Sequence, residues 1–253
     1  MGLISTVALF LPILFILALR LGGYSSFPAL LAYYVVAFIN NFLGERYVDT
    51  STDIIKYLGL TNNLLDAPLM LLFLTYFSTS AAQARRMRLL ILSFVLFEII
   101  IVLLMGFSKQ AITITLAPGL AIVFGFCLYF FIRYAKLAIT HSKATGKAFI
   151  SASLLFAYGC FFILYLMFYV FETQGVGENI NEQYVADTYL VYFFTATFSS
   201  VLMCAGIFFE SKRVQKLHEL KITRKELSMI YDGTKKTAPF RTALLDFDRD
   251  SFN

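Results

Sequence analysis

The sequence predicts an all-α membrane protein, a bundle of seven transmembrane helices with its N-terminus outside and its C-terminus in the cytoplasm. Three observations carry that expectation. Of the 253 residues, 59% are apolar and only 15% charged, with a mean hydropathy of +0.74, whereas soluble domains carry about 25% charged residues. Apolar runs of spanning length recur at roughly 3–20, 27–43, 62–78, 88–107, 112–135, 148–171 and 187–209. Lysine and arginine gather in alternate gaps between those runs.

The first run, Leu3 to Leu19, resembles a signal-peptide core, but no positive charge precedes it and Arg20 follows it. That polarity reads as an uncleaved helix entering from outside. The opening Met1-Gly2-Leu3-Ile4-Ser5-Thr6 fits the loose myristoylation pattern, and with a spanning helix starting at once it reads as a chance match. After the second run, the gap at 44–61 (GERYVDTSTDIIKYLGLT) reads as an outer loop with a short hairpin or helical turn. The third run holds Pro68 and the fifth Pro118.

The fourth run carries the clearest membrane signal. Leu89 to Phe107 is an unbroken stretch of 19 residues, which as a helix rises about 28 Å, near the thickness of the hydrocarbon core. Arg85, Arg86 and Arg88 stand at one end, Lys109 at the other, and Glu98 is the one ionisable group inside.

Orientation follows from the gaps. The inner ones hold Arg20, then Arg85, Arg86 and Arg88, then Arg133, Lys136, Lys143 and Lys147. The outer ones hold Arg46, Lys56 and Lys109 against Glu45, Asp49, Asp53, Glu172, Glu178, Glu182 and Asp187. The basic excess on one side sets the N-terminus outside. Tryptophan is absent, so Tyr24, Tyr33, Tyr34, Tyr76, Tyr134, Tyr184 and Tyr189 are expected to form the interfacial belt.

Residues 1–209 thus form the transmembrane domain and 210–253 a basic amphipathic cytoplasmic tail. The tail holds ten Lys/Arg and seven Asp/Glu, with Val214, Leu217, Leu220, Leu227 and Ile230 at near-helical spacing. Two arrangements fit, a helix along the anionic inner leaflet or a cytosolic extension of the seventh helix.

Few side chains are placed to carry chemistry. A charge at the centre of a spanning helix costs about 2.5–3.5 kcal/mol on insertion scales. No lysine or arginine lies at matching depth, so Glu98 is expected to be protonated or hydrogen-bonded. It is either a proton-linked or ligand-binding carboxyl, or a packing residue that hydrogen-bonds between helices. Asn62 and Asp66 lie four residues apart on one helix face, about one turn below the outer surface, with Pro68 in the next turn. They either cap the helix or join Asn40, Asn41, Glu45 and Asp187 in an acidic vestibule for a polar or cationic ligand. Tyr158, Tyr165 and Tyr169 share a face of the sixth span. Thr188, Tyr192, Thr195 and Ser199 share one of the seventh, flanked by Thr197 and Ser200. These stripes either mediate packing or line a central pocket with Glu98.

Several functions are excluded. The net charge of +5 comes from residues flanking apolar runs, which fits a lipid surface and not nucleic acid. Cys127, Cys160 and Cys204 lie inside apolar runs, so neither a disulfide framework nor a metal site is expected. His141 and His218 lie outside the spans, leaving no zinc set. No GxSxG, HExxH, P-loop or GxGxxG stands in a suitable context, and no enzyme is expected. The absence of an Asn-x-Ser/Thr acceptor fits a bacterial inner membrane.

The seven spans, the outer N-terminus and the length resemble the microbial rhodopsin family. The local likeness lies in the third span, where Asp66-Ala67-Pro68-Leu69-Met70-Leu71-Leu72 is similar to that family's carboxylate-bearing helix with its proline and leucine run. The resemblance implies a seven-helix fold around an interior pocket. That family holds retinal on a lysine of its seventh helix, and Asp187 to Phe209 contains none. Thr197 and Val201 stand where its aspartate and lysine would be, and Asn62 where its counter-ion carboxylate is usual. No cofactor is therefore expected, retinal included.

The expected function is a receptor or sensor with a small-ligand pocket open to the outside, built from Asn62, Asp66, Glu98, Tyr158, Tyr165, Tyr192 and Thr195. Its signal would pass to a separate cytoplasmic partner. The alternative is a proton-coupled small-solute transporter using Glu98.

Overall fold

A computed structural model describes residues 2–45, 47, 48, 50–140, 144–173 and 182–232; its side chains are described except at 168–173, 182–189, 226 and 228–232. Among the described residues every regular element is helical. In chain order these are α1 (Gly2–Ala18), α2 (Phe27–Gly44), α3 (Thr52–Leu74), a 3-10 turn (Thr75–Phe77), α4 (Ala81–Met105), α5 (Lys109–Thr140), α6 (Thr145–Thr173) and α7 (Glu182–Asp232). Six of the helices, α2 to α7, are long and apolar enough to cross a membrane, and α1 is a shorter apolar helix of 17 residues. The chain is a multi-pass membrane protein. It divides into two compact units, Met1–Ser211 and Lys212–Asn253.

The helix ends follow from local chemistry. α1 stops where Leu21 N–H reaches the Ile16 carbonyl (2.9 Å) and Arg20 N–H the Leu17 carbonyl (3.0 Å), with Arg20 at φ 56°. That is a Schellman turn, with arginine in the position glycine usually takes. Pro28 opens α2, where its missing N–H costs nothing. Ser80 accepts from Gln83 N–H (3.1 Å) and Ser108 from Ala111 N–H (3.3 Å), capping the starts of α4 and α5. Gly106, at φ 71°, ends α4.

α3 departs most from expectation. It begins at Thr52, not near 62, with Ser51 accepting from Ile54 N–H (3.4 Å) and Asp53 in the first turn. Most of the expected outer loop is therefore helix. Asp66 lies fourteen residues in, about 21 Å along the axis, so it sits deep in the helix and not one turn from its end. α7 also runs further than the seventh apolar segment, unbroken to Asp232.

Within the first unit, neighbours in sequence pack as neighbours in space: α1 on α2, α2 on α3, α3 and α4 on α5, and α5 on α6. Close crossings rest on small residues. A Cβ on Gly119 of α5 would stand 2.9 Å from Ala67 of α3, and one on Gly206 of α7 would stand 2.8 Å from the Ile150 backbone nitrogen of α6. Outward faces carry Leu89, Leu92, Leu103 and Leu104, as a lipid-facing surface does. The expected tyrosine belt is only partly on the surface, because Tyr34 and Tyr134 are buried in the bundle; the side chains of Tyr184 and Tyr189 lie outside the described residues. In the second unit, Leu217, Leu220, Ile222 and Leu227 are exposed along the helix.

Candidate functional site

The interior polar groups converge on Asp66. From α6, the fully buried Tyr158 donates its hydroxyl to Asp66 Oδ1 at 3.1 Å. From α2, the Tyr33 phenol interacts with both the Asp66 carboxyl and the Tyr158 hydroxyl. Tyr192 of α7 and Glu98 of α4 also lie close enough to interact electrostatically with Asp66. Five helices thus each contribute one polar side chain to one neighbourhood. Phe161 borders it, stacking on Tyr192 (5.7 Å between centroids) and meeting Tyr158 edge-on.

The remaining expected site residues divide. Asn62 is half-buried, one turn from Asp66 on the same face of α3. Thr195 is buried on the Tyr192 side of α7, and its hydroxyl has no hydrogen-bond partner among the described residues. Ser200 is likewise buried, with its hydroxyl interacting with the Tyr34 phenol of α2. A buried hydroxyl without a partner forfeits about 1–3 kcal/mol, so Thr195 is a place where a guest atom would be welcome. Tyr165 is directed elsewhere, donating to the Thr113 carbonyl of α5 at 3.2 Å. Tyr169, Asp187 and Thr188 have side chains outside the described residues.

Glu98 is 5% exposed and makes no hydrogen bond among the described residues. It borders a groove between α3 and α4 of about 270 Å³, whose other walls are Leu64, Leu65 and Pro68 of α3 and Val95, Ile99, Val102 and Leu103 of α4. Glu98 therefore belongs to two places at once, the wall of this groove and the surroundings of Asp66.

Asn40 and Asn41 have a different task from the expected vestibule. Asn41 is buried and donates to Ser5 Oγ (3.0 Å) and Thr6 Oγ1 (2.8 Å), which in turn donate to the Gly2 carbonyl at 2.8 Å each. This network fastens α1 to α2. Asn40 instead approaches Gly59 of α3, and Glu45 packs against Gly2.

A second polar knot went unread in the sequence. Glu210 of α7 is fully buried and accepts a hydrogen bond from the Tyr76 hydroxyl. Lys147 of α6 holds its ammonium over three rings, Tyr76 (4.7 Å), Tyr134 (5.1 Å) and Phe77 (5.9 Å). Tyr134 donates to the Phe77 carbonyl at 2.7 Å. Gly146 makes room, since a Cβ there would stand 2.6 Å from the Glu210 backbone nitrogen. In sequence Glu210 looks like the first charge of a tail and Lys147 like one more inner-loop cation. The signal that marks them is the aromatic company of Tyr76, Phe77 and Tyr134 at the ends of neighbouring spans.

Among the described residues no cluster of histidine, cysteine and acidic side chains is arranged to hold a metal ion. No protein-family profile, curated protein or solved structure matches the chain.

Proposed function

We propose that this chain is a non-enzymatic receptor or sensor of a cell membrane, crossing it seven times with the N-terminus outside and the C-terminus in the cytoplasm. Its ligand is small and polar or cationic, held at the Asp66 centre, and its output goes to a cytoplasmic partner. The supporting observation is the Asp66–Tyr158 hydrogen bond at a point where α2, α4 and α7 also bring polar groups. A site built from five helices responds to a ligand by changing how those helices pack, and that coupling is what a sensor needs. α1 would complete the seven crossings, and the basic inner gaps support the orientation. The topological likeness to microbial rhodopsins, without their lysine, favours a noncovalent ligand. A bacterial inner membrane is the compartment in keeping with the sequence.

The test is binding without transport. Purified protein in lipid nanodiscs, screened against small amines and polyols by thermal unfolding, should show saturable stabilisation that Asp66→Asn removes. Solute accumulation in proteoliposomes would overturn the reading.

A second reading, a proton-coupled small-solute transporter, draws support from the electrostatic proximity of Glu98 to Asp66. It requires uptake driven by a pH gradient and abolished by Glu98→Gln.

A further inference from the structure

Positive charge gathers at the end of the bundle where α4 begins and α5 finishes. Between Asp66 and Glu172 the sequence holds one acidic residue, Glu98, which is buried deep in α4, against Arg85, Arg86, Arg88, Arg133 and Lys136 at this end. Arg85, Arg86, Arg88 and Lys136 are exposed and Arg133 is half-buried, and among the described residues none of the five forms an ion pair.

The seam between the two helices brings one arginine from each to the same place. Gly119 of α5 meets α4 at Phe94, since a Cβ there would stand 3.0 Å from the ring. Arg133 follows Gly119 by fourteen residues, close to four whole turns, so it stands on the edge of α5 toward α4. Val95, Glu98, Ile99 and Val102 mark the side of α4 that faces α3. Arg86 falls on the opposite shoulder, between the Phe94 contact and the exposed Leu89. Measured from the Phe94–Gly119 contact, Arg86 lies about 12 Å and Arg133 about 21 Å along the axes, an offset of about 9 Å. Arg133 donates to the Tyr129 hydroxyl at 3.3 Å, one turn nearer the level of Arg86, which draws its guanidinium that way. Next to the arginines the seam is apolar and open. Leu89 is exposed on α4, and Gly125, one turn from Tyr129 on α5, has nothing within 4 Å of an added Cβ. Cations over an apolar notch suit a ligand with an anionic head and a hydrocarbon body. A soluble anion has no use for the notch, and an acidic protein surface would not reach into hydrocarbon.

We propose that this seam binds an anionic phospholipid, its phosphodiester between Arg86 and Arg133 and an acyl chain over Leu89 and Gly125. The site goes beyond the receptor reading and does not depend on the ligand of Asp66. Guanidinium forks meet phosphate oxygens in pairs, and basic clefts between spanning helices are where anionic headgroups settle. Arg85, Arg88 and Lys136 raise the local concentration of anionic lipid without choosing its position. In the orientation proposed above, the site opens to the cytoplasmic leaflet.

The absence of tryptophan lets a single reporter ring be introduced into the full-length protein. Leu89→Trp places it beside the seam, and Leu104→Trp places it at an exposed position near the other end of α4. Each variant is reconstituted with dibrominated phosphatidylglycerol or dibrominated phosphatidylcholine, and quenching is compared at equal mole fraction. At Leu89→Trp the glycerol lipid should be preferred about fivefold or more. Adding Arg86→Gln and Arg133→Gln should bring that preference to near parity while the thermal midpoint holds. Adding Arg88→Gln, on the α3 side of α4, should leave it in place. At Leu104→Trp the two lipids should quench alike. Equal quenching at Leu89→Trp overturns the proposal. So does a preference that survives the double arginine change, that Arg88→Gln alone removes, or that Leu104→Trp reports just as strongly. Millimolar glycerol phosphate that abolishes the preference would assign the arginines to a soluble anion and overturn it too. None of these results touches the receptor reading, which falls to solute accumulation instead.

Discussion

The Tyr158 hydroxyl donates to the Asp66 carboxyl at 3.1 Å, joining α6 to α3 across 92 residues of chain. Polar contacts between membrane helices contribute about 0.6 kcal/mol on average and up to about 1.7. Tyr158→Phe should therefore lower unfolding stability by about 0.5–1.7 kcal/mol in nanodiscs. Asp66→Asn keeps an acceptor and should cost less. If the two variants unfold identically to the parent, the contact plays no part in assembling the centre.

Asn41 offers a cleaner cycle. Asn41→Leu removes both donors to Ser5 and Thr6 while those hydroxyls keep the Gly2 carbonyl. A loss of about 1–2 kcal/mol is expected. Combining it with Ser5→Ala and Thr6→Val should cost less than the sum of the separate changes, because the bonds to Asn41 can be lost only once. Hydrogen exchange along α1 should rise in all three backgrounds, and unchanged exchange would dissociate Asn41 from the placement of α1.

The glycines separate by position. Gly206→Ala would place a Cβ 2.6 Å from Ile150 Cγ1 and 2.8 Å from its backbone nitrogen, so a cost of about 1–3 kcal/mol is expected. Gly125 has nothing within 4 Å of the same added atom, and Gly125→Ala should be neutral or stabilising by up to about 1 kcal/mol through helix propensity. Thermal midpoints in one detergent decide the order.

At the other knot, Glu210→Ala removes the buried carboxyl that accepts from the Tyr76 hydroxyl and should cost about 1–3 kcal/mol. Glu210→Gln retains an acceptor and should recover much of that loss. Lys147→Met keeps the stem over the rings but loses the cation, at about 0.5–2 kcal/mol. Equal stability of Ala and Gln variants would mean the carboxyl is not the anchor.

Orientation is open to labelling. In a cysteine-free background, an impermeant maleimide on intact cells should label Gln110→Cys, at the exposed start of α5, and spare Ala82→Cys, at the exposed start of α4. The reverse pattern would invert the topology.

Most of the helical order was legible, because apolar runs long enough to span are hard to imitate. The extent of α3 was not. Thr52 to Thr61 is mixed in polarity, with Asp53 and Lys56 among Ile54, Ile55, Tyr57 and Leu58, so hydropathy ends the span near 62. The Ser51 cap and first-turn Asp53 are the local signals that extend it. Asp66, Tyr158, Tyr192 and Glu98 could be picked as interior polar groups, yet their relation to one another depends on helix rotation, which a seven-helix pattern leaves open. Tyr33 was hidden because a tyrosine six residues into a span reads as a belt residue. Glu210 and Lys147 were hidden because charges near a span end read as solvated.

The buried Asn41–Ser5–Thr6 network also bears on biogenesis. At 17 residues α1 rises only about 25 Å, and it presents two hydroxyls that suit hydrocarbon poorly when alone. Only the turn from Leu19 to Ser26 separates it from α2, which carries the matching amide. Insertion of the two as a preformed hairpin would hide every one of those groups from acyl chains during the passage out of the translocon. The first helix would then be a passenger of the second, and its arrival in the bilayer would wait on ribosomal synthesis as far as residue 41.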